Sequence, residues 1–174
     1  MIKKIHMVFM ILIFFASIVF GFDLKIGLNG TGLLPVGALV NGLKTGYGFN
    51  GSLYFKPKVL PVGFELESGY LYFSGKIVND LQIIPLYISG VYNIPLSIFN
   101  SFIKLGGGLN FETLKMDEGK MTNIDIGAKI GAGIEYLFLK NFGIRFNTNY
   151  FFVYEPGTIG HFIDLQFGFL YLYR

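Results

Sequence analysis

Apolar and polar residues alternate with a period of two along most of the chain, and this pattern constrains the fold more than any other feature. It is clearest over residues 124–138, where Ile, Ala, Tyr and Phe alternate with Asp, Gly, Lys, Glu and one Leu. A helix would mix the two sets on one face, whereas a β-strand directs successive side chains to opposite faces. Gly127, Gly131 and Gly133 would also weaken a helix. The segment is therefore predicted to be a strand.

The same alternation recurs along the chain, although its facing over residues 81–93 is ambiguous. We predict eight strands, near residues 23–30, 45–56, 61–73, 81–93, 101–113, 123–138, 143–154 and 161–173. Nearly all of them reach the roughly 9–11 residues that a tilted strand needs to cross a bilayer. From the sequence alone, a count of ten strands stays open.

The predicted connections alternate between short and long. Short turns are expected at residues 56–58, 93–99 and 139–142, and longer connections at 31–44, 74–80, 114–122 and 155–160. Outer-membrane barrels have short periplasmic turns and longer outer loops. With both termini in the periplasm, the longer set would lie outside the cell.

The two strand faces indicate how such a barrel is solvated. The apolar face carries Leu, Ile and Phe and no charged residue, and only 14% of all residues are charged. A soluble exterior needs roughly 25–35% charged surface. We therefore predict an all-β fold, an eight-stranded antiparallel up-and-down transmembrane β-barrel with its apolar face toward lipid. A soluble lipocalin-like carrier, with the apolar face inward, is a less favoured alternative.

The polar face would place a balanced set of charges inside the barrel. The predicted lumen set is Lys25, Lys56, Glu65, Glu67, Lys104, Glu112, Asp125, Lys129, Glu135, Arg145 and Asp164. Isolated buried charges are costly, whereas paired ones are tolerated. An eight-stranded barrel is only just wide enough for its own side chains. We predict a salt-bridge network that fills the lumen, which Glu135→Gln should destabilise; a charged ion pathway is the alternative.

The first 22 residues differ from the rest. Lys3 and Lys4 precede an apolar run over residues 7–20, and Val19-Phe20-Gly21 is a suitable cleavage triplet. This pattern is typical of a cleavable helical signal peptide. An uncleaved anchor is the alternative, but the run is shorter than the roughly 20 residues of a spanning helix. We expect a signal peptide at 1–22 and a barrel domain at 23–174. Since the chain has no Cys, a lipid-anchored lipoprotein is excluded.

Two further features concern the barrel ends. Residues 31–43 are unusually apolar for an outer loop. We expect the first two strands to run further, or this loop to pack across the barrel mouth; contact with a partner or lipid is the alternative. Tyrosines near the predicted strand ends suit a membrane interface because the ring is apolar and the hydroxyl reaches water. They are Tyr70, Tyr72, Tyr136, Tyr150, Tyr154, Tyr171 and Tyr173.

The sequence offers little chemistry. His6 belongs to the predicted signal peptide, so His161 stands alone, with Glu155 and Thr158 as its nearest acid and hydroxyl. We find no arrangement of nucleophile, base and orienting acid, and His161 is expected to be a polar residue at the barrel rim. No enzyme, metal site or cofactor is predicted. A net charge of only +3 argues against a nucleic-acid partner.

Residues 23–174 resemble the bacterial outer membrane protein beta-barrel domain family. The likeness rests on Ile84-Pro85-Leu86 leading to Tyr92-Asn93, on Lys104-Leu105-Gly106-Gly107-Gly108-Leu109, and on the terminal strand from Asp164. It implies a protein of the outer membrane of a two-membrane bacterium, with outer-membrane lipid and the barrel-assembly machinery as partners. In the family the last strand is the assembly signal. The matching residues here are Phe167, Phe169, Tyr171 and Tyr173, with Arg174 following where the family usually ends in an aromatic residue.

The resemblance does not imply one activity. We expect a monomer with a structural or surface-interaction role in the cell envelope. The alternative is a small passive, porin-like pore for ions or small solutes. The two functions differ in whether the lumen is continuous.

Overall fold

The computed structural model describes residues 21–76, 80–116, 119–155 and 158–173, which form one closed barrel. Every strand pairs antiparallel with its sequence neighbours, and β1 also pairs with β8. The strands are β1 (Phe22–Val36), β2 (Leu43–Pro57), β3 (Val62–Gly75), β4 (Leu81–Pro95), β5 (Asn100–Met116), β6 (Gly119–Leu137), β7 (Phe142–Glu155) and β8 (Thr158–Tyr173). The predicted fold and the count of eight strands are confirmed.

A single short helix, α1 (Leu39–Gly42), lies between β1 and β2. Across the part of the chain that the structure describes, no helix has the length and apolar character needed to cross a membrane. Residues 1–20 of the predicted signal peptide lie outside the described residues. The signal peptide and its boundary with the barrel therefore stay predictions.

Burial follows the period of two that the sequence predicts. In β6, Asp125 and Lys129 are buried while Ile126 and Ile130 are exposed. The ambiguous segment at 81–93 is settled by β4, which turns Tyr87 inward and Ile88 outward. Its facing was ambiguous because β4 carries large apolar residues on both sides.

Strands run further than predicted at one end of the barrel. β1 continues past residue 30 to Val36, which pairs with His161 of β8. Most of the predicted connection at 114–122 is also strand, since Lys115 pairs with Lys120. Pro35 and the glycines suggested a loop, but Leu33 is buried and Leu34 exposed, so the alternation continues. The expectation that the first two strands run further is confirmed.

We call the two ends of the barrel the terminal end and the loop end. The terminal end holds Phe22, Tyr173 and the connections at 58–61, 96–99 and 138–141. The loop end holds the other connections, among them residues 37–42. Gly37 has a φ of 64°, a conformation that favours glycine, and it turns the chain from β1 into α1.

The outer wall of the barrel is apolar. Ile126 is 66% exposed and Phe169 is 63% exposed, and both belong to continuous outward rows of apolar residues. On the described strands, charged residues reach outward positions only near the loop end, at Lys44 in the β-bulge at the start of β2 and at Lys115 and Lys120 beside the β5–β6 tip. A surface of this kind is stable against lipid and unstable against water.

Candidate functional site

Seven charged side chains form one continuous chain of ion pairs across the lumen. Each is paired with the next and the sign alternates, so we call the set the charge chain. In order it comprises Lys25, Glu135, Arg145, Glu65, Lys104, Glu67 and Lys129. The members come from β1, β3, β5, β6 and β7, so the charge chain ties opposite walls of the barrel together.

Arg145 is the centre of one half of the charge chain. Its Nε and Nη2 donate to Glu135 Oε1 at 3.0 and 2.6 Å, and Glu135 lies directly opposite on β6. Its Nη1 donates to Glu65 on β3. Lys25 of β1 donates to the other oxygen of Glu135.

The two glutamates of β3 collect the remaining cations. Lys104 Nζ lies 3.1 Å from Glu65 Oε1 and 3.1 Å from Glu67 Oε1. Lys129 donates to the second oxygen of Glu67. Glu65 and Glu67 point the same way because they stand two apart on one strand. Both are buried, so desolvation is offset by paired, hydrogen-bonded partners.

Apolar layers cover the charge chain on both sides. The terminal-end layer comprises Tyr54, Val91 and Phe102. The loop-end layer comprises Leu33, Leu43, Leu71, Phe73, Ile83, Tyr87, Phe151, Val153 and Phe162. Aromatic rings of both layers face the cations: Arg145 Cζ lies 5.0 Å from the Phe102 centroid, and Lys129 Nζ lies 5.2 Å from the Tyr87 centroid. Such contacts add cation–π attraction to the ion pairs.

The lumen has little room beside these side chains. A cavity next to Glu67, Lys129 and Tyr87 measures about 10 Å³, which is space for about one water molecule. A wider cavity of about 200 Å³ lies at the terminal end beside Lys25 and Lys56. Another of about 400 Å³ lies at the loop end. The charge chain and its two layers separate these mouths.

All eleven predicted lumen charges stand at inward positions, but they do not form a single network. Asp164 lies in a separate polar cluster and accepts hydrogen bonds from Asn149 Nδ2 at 2.6 Å and Gln166 Nε2 at 2.5 Å. Lys56 lines the terminal mouth, and Glu112 and Asp125 line the loop-end cavity. Two inward charges can pair only when they lie at a similar height along the barrel axis. Alternation along one strand does not determine that height.

The inward aromatics were the main omission of the sequence analysis. Tyr87 and Phe102 belong to apolar layers that alternation alone did not predict. A signal for them exists in the glycines of β6. An added Cβ at Gly127 would overlap the Tyr87 hydroxyl, and one at Gly133 would lie 2.5 Å from the Phe102 ring. Each glycine thus makes space for a ring on a neighbouring wall.

The remaining predicted residues lie on the outer face. The His161 ring packs 5.5 Å from that of Phe152 and 5.9 Å from that of Tyr150. Within the described ranges, no group of three or more His, Cys, Asp or Glu residues could hold a metal ion. The aromatic row of β8, which is predicted to be the assembly signal, points outward. The Tyr171 ring contacts that of Phe142 at 5.0 Å. All seven predicted interface tyrosines occupy outward positions.

An apolar wall closed around a lumen filled with ion pairs defines a small transmembrane β-barrel. Solved structures of this class superpose on the chain. Neisserial surface protein A matches with a TM-score of 0.67 at 13% identity, covering 87% of this chain and 98% of that one. OprG from Pseudomonas aeruginosa matches with a TM-score of 0.61 at 12% identity, covering 87% and 96%.

The attachment invasion locus protein of Yersinia pestis also matches, with a TM-score of 0.56 at 15% identity, covering 87% of this chain and 97% of that one. Comparison of the sequence with protein families gives no match, and comparison with curated proteins gives none either. The chain therefore shares the fold of the small eight-stranded outer-membrane barrels. The likeness that the sequence analysis identified is confirmed at the level of the fold.

Proposed function

We propose that the chain is an integral outer-membrane protein with a structural or surface-interaction role, and that its lumen does not conduct. The outer wall supports membrane insertion, because on the described strands its outward rows carry charged residues only near the loop end. A charge at the midplane of that wall would cost about 2–4 kcal/mol. The solved neighbours include proteins named for the cell surface and for attachment, which supports the same location and role.

The charge chain is the observation that supports a closed lumen. A hydrated ion needs a continuous water path, whereas here ion pairs and two apolar layers lie between the mouths. Opening such a path would separate buried partners, which is strongly unfavourable. The ion pairs therefore act as a structural plug, and surface contacts take place at the loop end.

The proposed outer-membrane location also implies an orientation and partners for the barrel. The terminal end, which has the short connections, faces the periplasm. The loop end, where the strands extend further, faces outside. This orientation matches the short periplasmic turns of outer-membrane barrels. Outer-membrane lipid covers the wall, and the barrel-assembly machinery recognises the outward aromatic row of β8. The protein acts as a non-enzymatic monomer.

A small passive pore is the second candidate, favoured by the cavities at the two mouths. Planar-bilayer recording separates the two functions. The full chain is expressed in a porin-deficient host, purified from the outer-membrane fraction and checked for folding by its heat-dependent gel shift. We expect inserted protein that passes no steady current.

Reproducible unitary conductance would overturn the closed lumen. Two variants identify the path of any current. Lys129→Gln alters the lumen and should change a current that runs through it, whereas Lys120→Gln lies at the β5–β6 tip and should not. A current that neither variant changes would indicate a contaminating channel.

A further inference from the structure

The cleft at the loop end is a built cavity of about 400 Å³. One side of the cleft is the inward face of the β5–β6 hairpin. Leu39 of α1 forms the opposite side. Register explains the shape: Leu114 lies opposite Leu81 of β4 on one side and Met121 of β6 on the other. These strands run beyond the loop-end layer, so their inward side chains form a concave surface rather than packed core.

The cleft has an apolar side and an acidic side. Leu39 and Leu81 pack against the loop-end layer, so the apolar side continues the barrel core. Glu112 and Asp125 form the acidic side, and no Lys or Arg among the described residues lines the cleft. Lys115 and Lys120 occupy outward positions on the same hairpin and point away from it.

Asp125 provides an independent indication of a ligand. Its side chain is 4% exposed, and Oδ1 accepts a hydrogen bond from Asn123 Nδ2 at 2.8 Å. Its Oδ2 is buried without a hydrogen-bond partner among the described residues. A buried carboxylate oxygen without a donor is unfavourable, and a cationic N–H donor would satisfy it.

We propose that this cleft binds a small organic cation, a protonated amine attached to an apolar body. The ammonium group donates to Asp125 with Glu112 nearby, and the apolar body packs against Leu39, Leu81 and Leu114. The volume lies within the range of small-molecule sites. A metal ion fits less well, because no group of three or more candidate ligands occurs in the described ranges. The inference rests on the proposed surface role and names its ligand class.

The test uses three probes of similar size on the purified full-chain protein in lipid nanodiscs. Phenethylammonium carries the charge, 2-phenylethanol is its neutral counterpart, and phenylacetate is the anion. Binding is followed by isothermal titration, with saturation-transfer NMR as a second readout. We expect saturable binding of phenethylammonium, at least tenfold tighter than that of the alcohol, because hydrogen bonds to charged groups are the stronger ones. The anion should not bind.

Two aspartate variants locate the site. Asp125→Asn keeps the shape and should weaken phenethylammonium binding about tenfold or more. Asp23→Asn makes the same change at the opposite mouth and should leave binding unchanged. Leu114→Ala should weaken all binding severalfold while the preference for the cation persists. The heat-dependent gel shift reports whether each variant is folded.

Three results would overturn the inference. They are equal binding of the three probes, unchanged binding by Asp125→Asn, and no binding up to about 10 mM, which is weaker than a ligand of this size should bind. The outcome of the conductance test is independent of the outcome of the binding test. A conducting barrel that binds the amine overturns the closed lumen and keeps the cleft, whereas a silent barrel that binds nothing overturns only the cleft.

Discussion

Replacing Glu65 by glutamine tests whether the charge chain stabilises the barrel. Glu65 is fully buried and accepts hydrogen bonds from Arg145 and from Lys104, the latter at 3.1 Å. Glutamine keeps the shape and removes the charge. The charge chain then changes from four cations and three anions to four cations and two anions. One excess cation becomes two, and the cavity beside Glu67 and Lys129 has space for only about one water molecule.

The expected loss of stability is about 3 kcal/mol. Removing one partner of a buried ion pair costs about 3–5 kcal/mol. The lower part of that range applies because both cations keep a partner: Arg145 retains Glu135 and Lys104 retains Glu67. With a urea slope of about 2 kcal/mol per M, the unfolding midpoint should fall by about 1.5 M.

The assay is urea unfolding in detergent micelles, followed by far-UV circular dichroism and by gel mobility. Asp23→Asn is the matched control, since Asp23 lies at the terminal mouth outside the charge chain. A surface change of this kind should shift stability by less than about 0.5 kcal/mol. The heat-dependent gel shift confirms that each variant starts from the folded barrel.

The double variant Glu65→Gln/Lys104→Gln sharpens the test. It removes one anion and one cation, which restores a single excess cation. Its loss of stability should therefore fall short of the sum of the two single losses by at least about 1 kcal/mol, as expected for contacting residues. Strict additivity, or a Glu65→Gln variant as stable as Asp23→Asn, would refute the structural role of the charge chain.

Two further predictions concern the wall. Ile130→Lys places a charge near the middle of the outer face of β6 and should destabilise the barrel by about 2–4 kcal/mol, whereas Thr122→Lys near the hairpin tip should change stability little; urea midpoints in lipid vesicles measure both. Gly127→Ala should cost about 1–3 kcal/mol through overpacking against Tyr87. Gly32→Ala is its control, because an added Cβ there meets nothing within 4 Å, and equal melting temperatures of the two would contradict the argument.

The strand count, the facing and the inward charges could be predicted because each is local. Alternation over a dozen residues separates a lipid face from a lumen face, and a slip of one residue would turn every side chain to the wrong side. The ambiguous facing of β4 and the missed end of β1 have local causes too. In β4 both faces are apolar, and Pro35 with the glycines of β1 hid six more residues of strand. The barrel core at the loop end has apolar residues inside, so polarity no longer marks the lumen there.

Alternation along the chain is sufficient to specify a closed barrel with lipid outside and balanced charge inside. Which of these charges pair depends on how the eight strands are arranged in space. Glu65 and Arg145 are 80 positions apart, and they pair because closure of β1 on β8 sets the height of each strand in the ring. The same closure carries the β5–β6 hairpin beyond the core and leaves one carboxylate oxygen of Asp125 without a hydrogen-bond partner among the described residues, beside the cleft. Alternation is a property of one strand, whereas pairing across the lumen is a property of all eight.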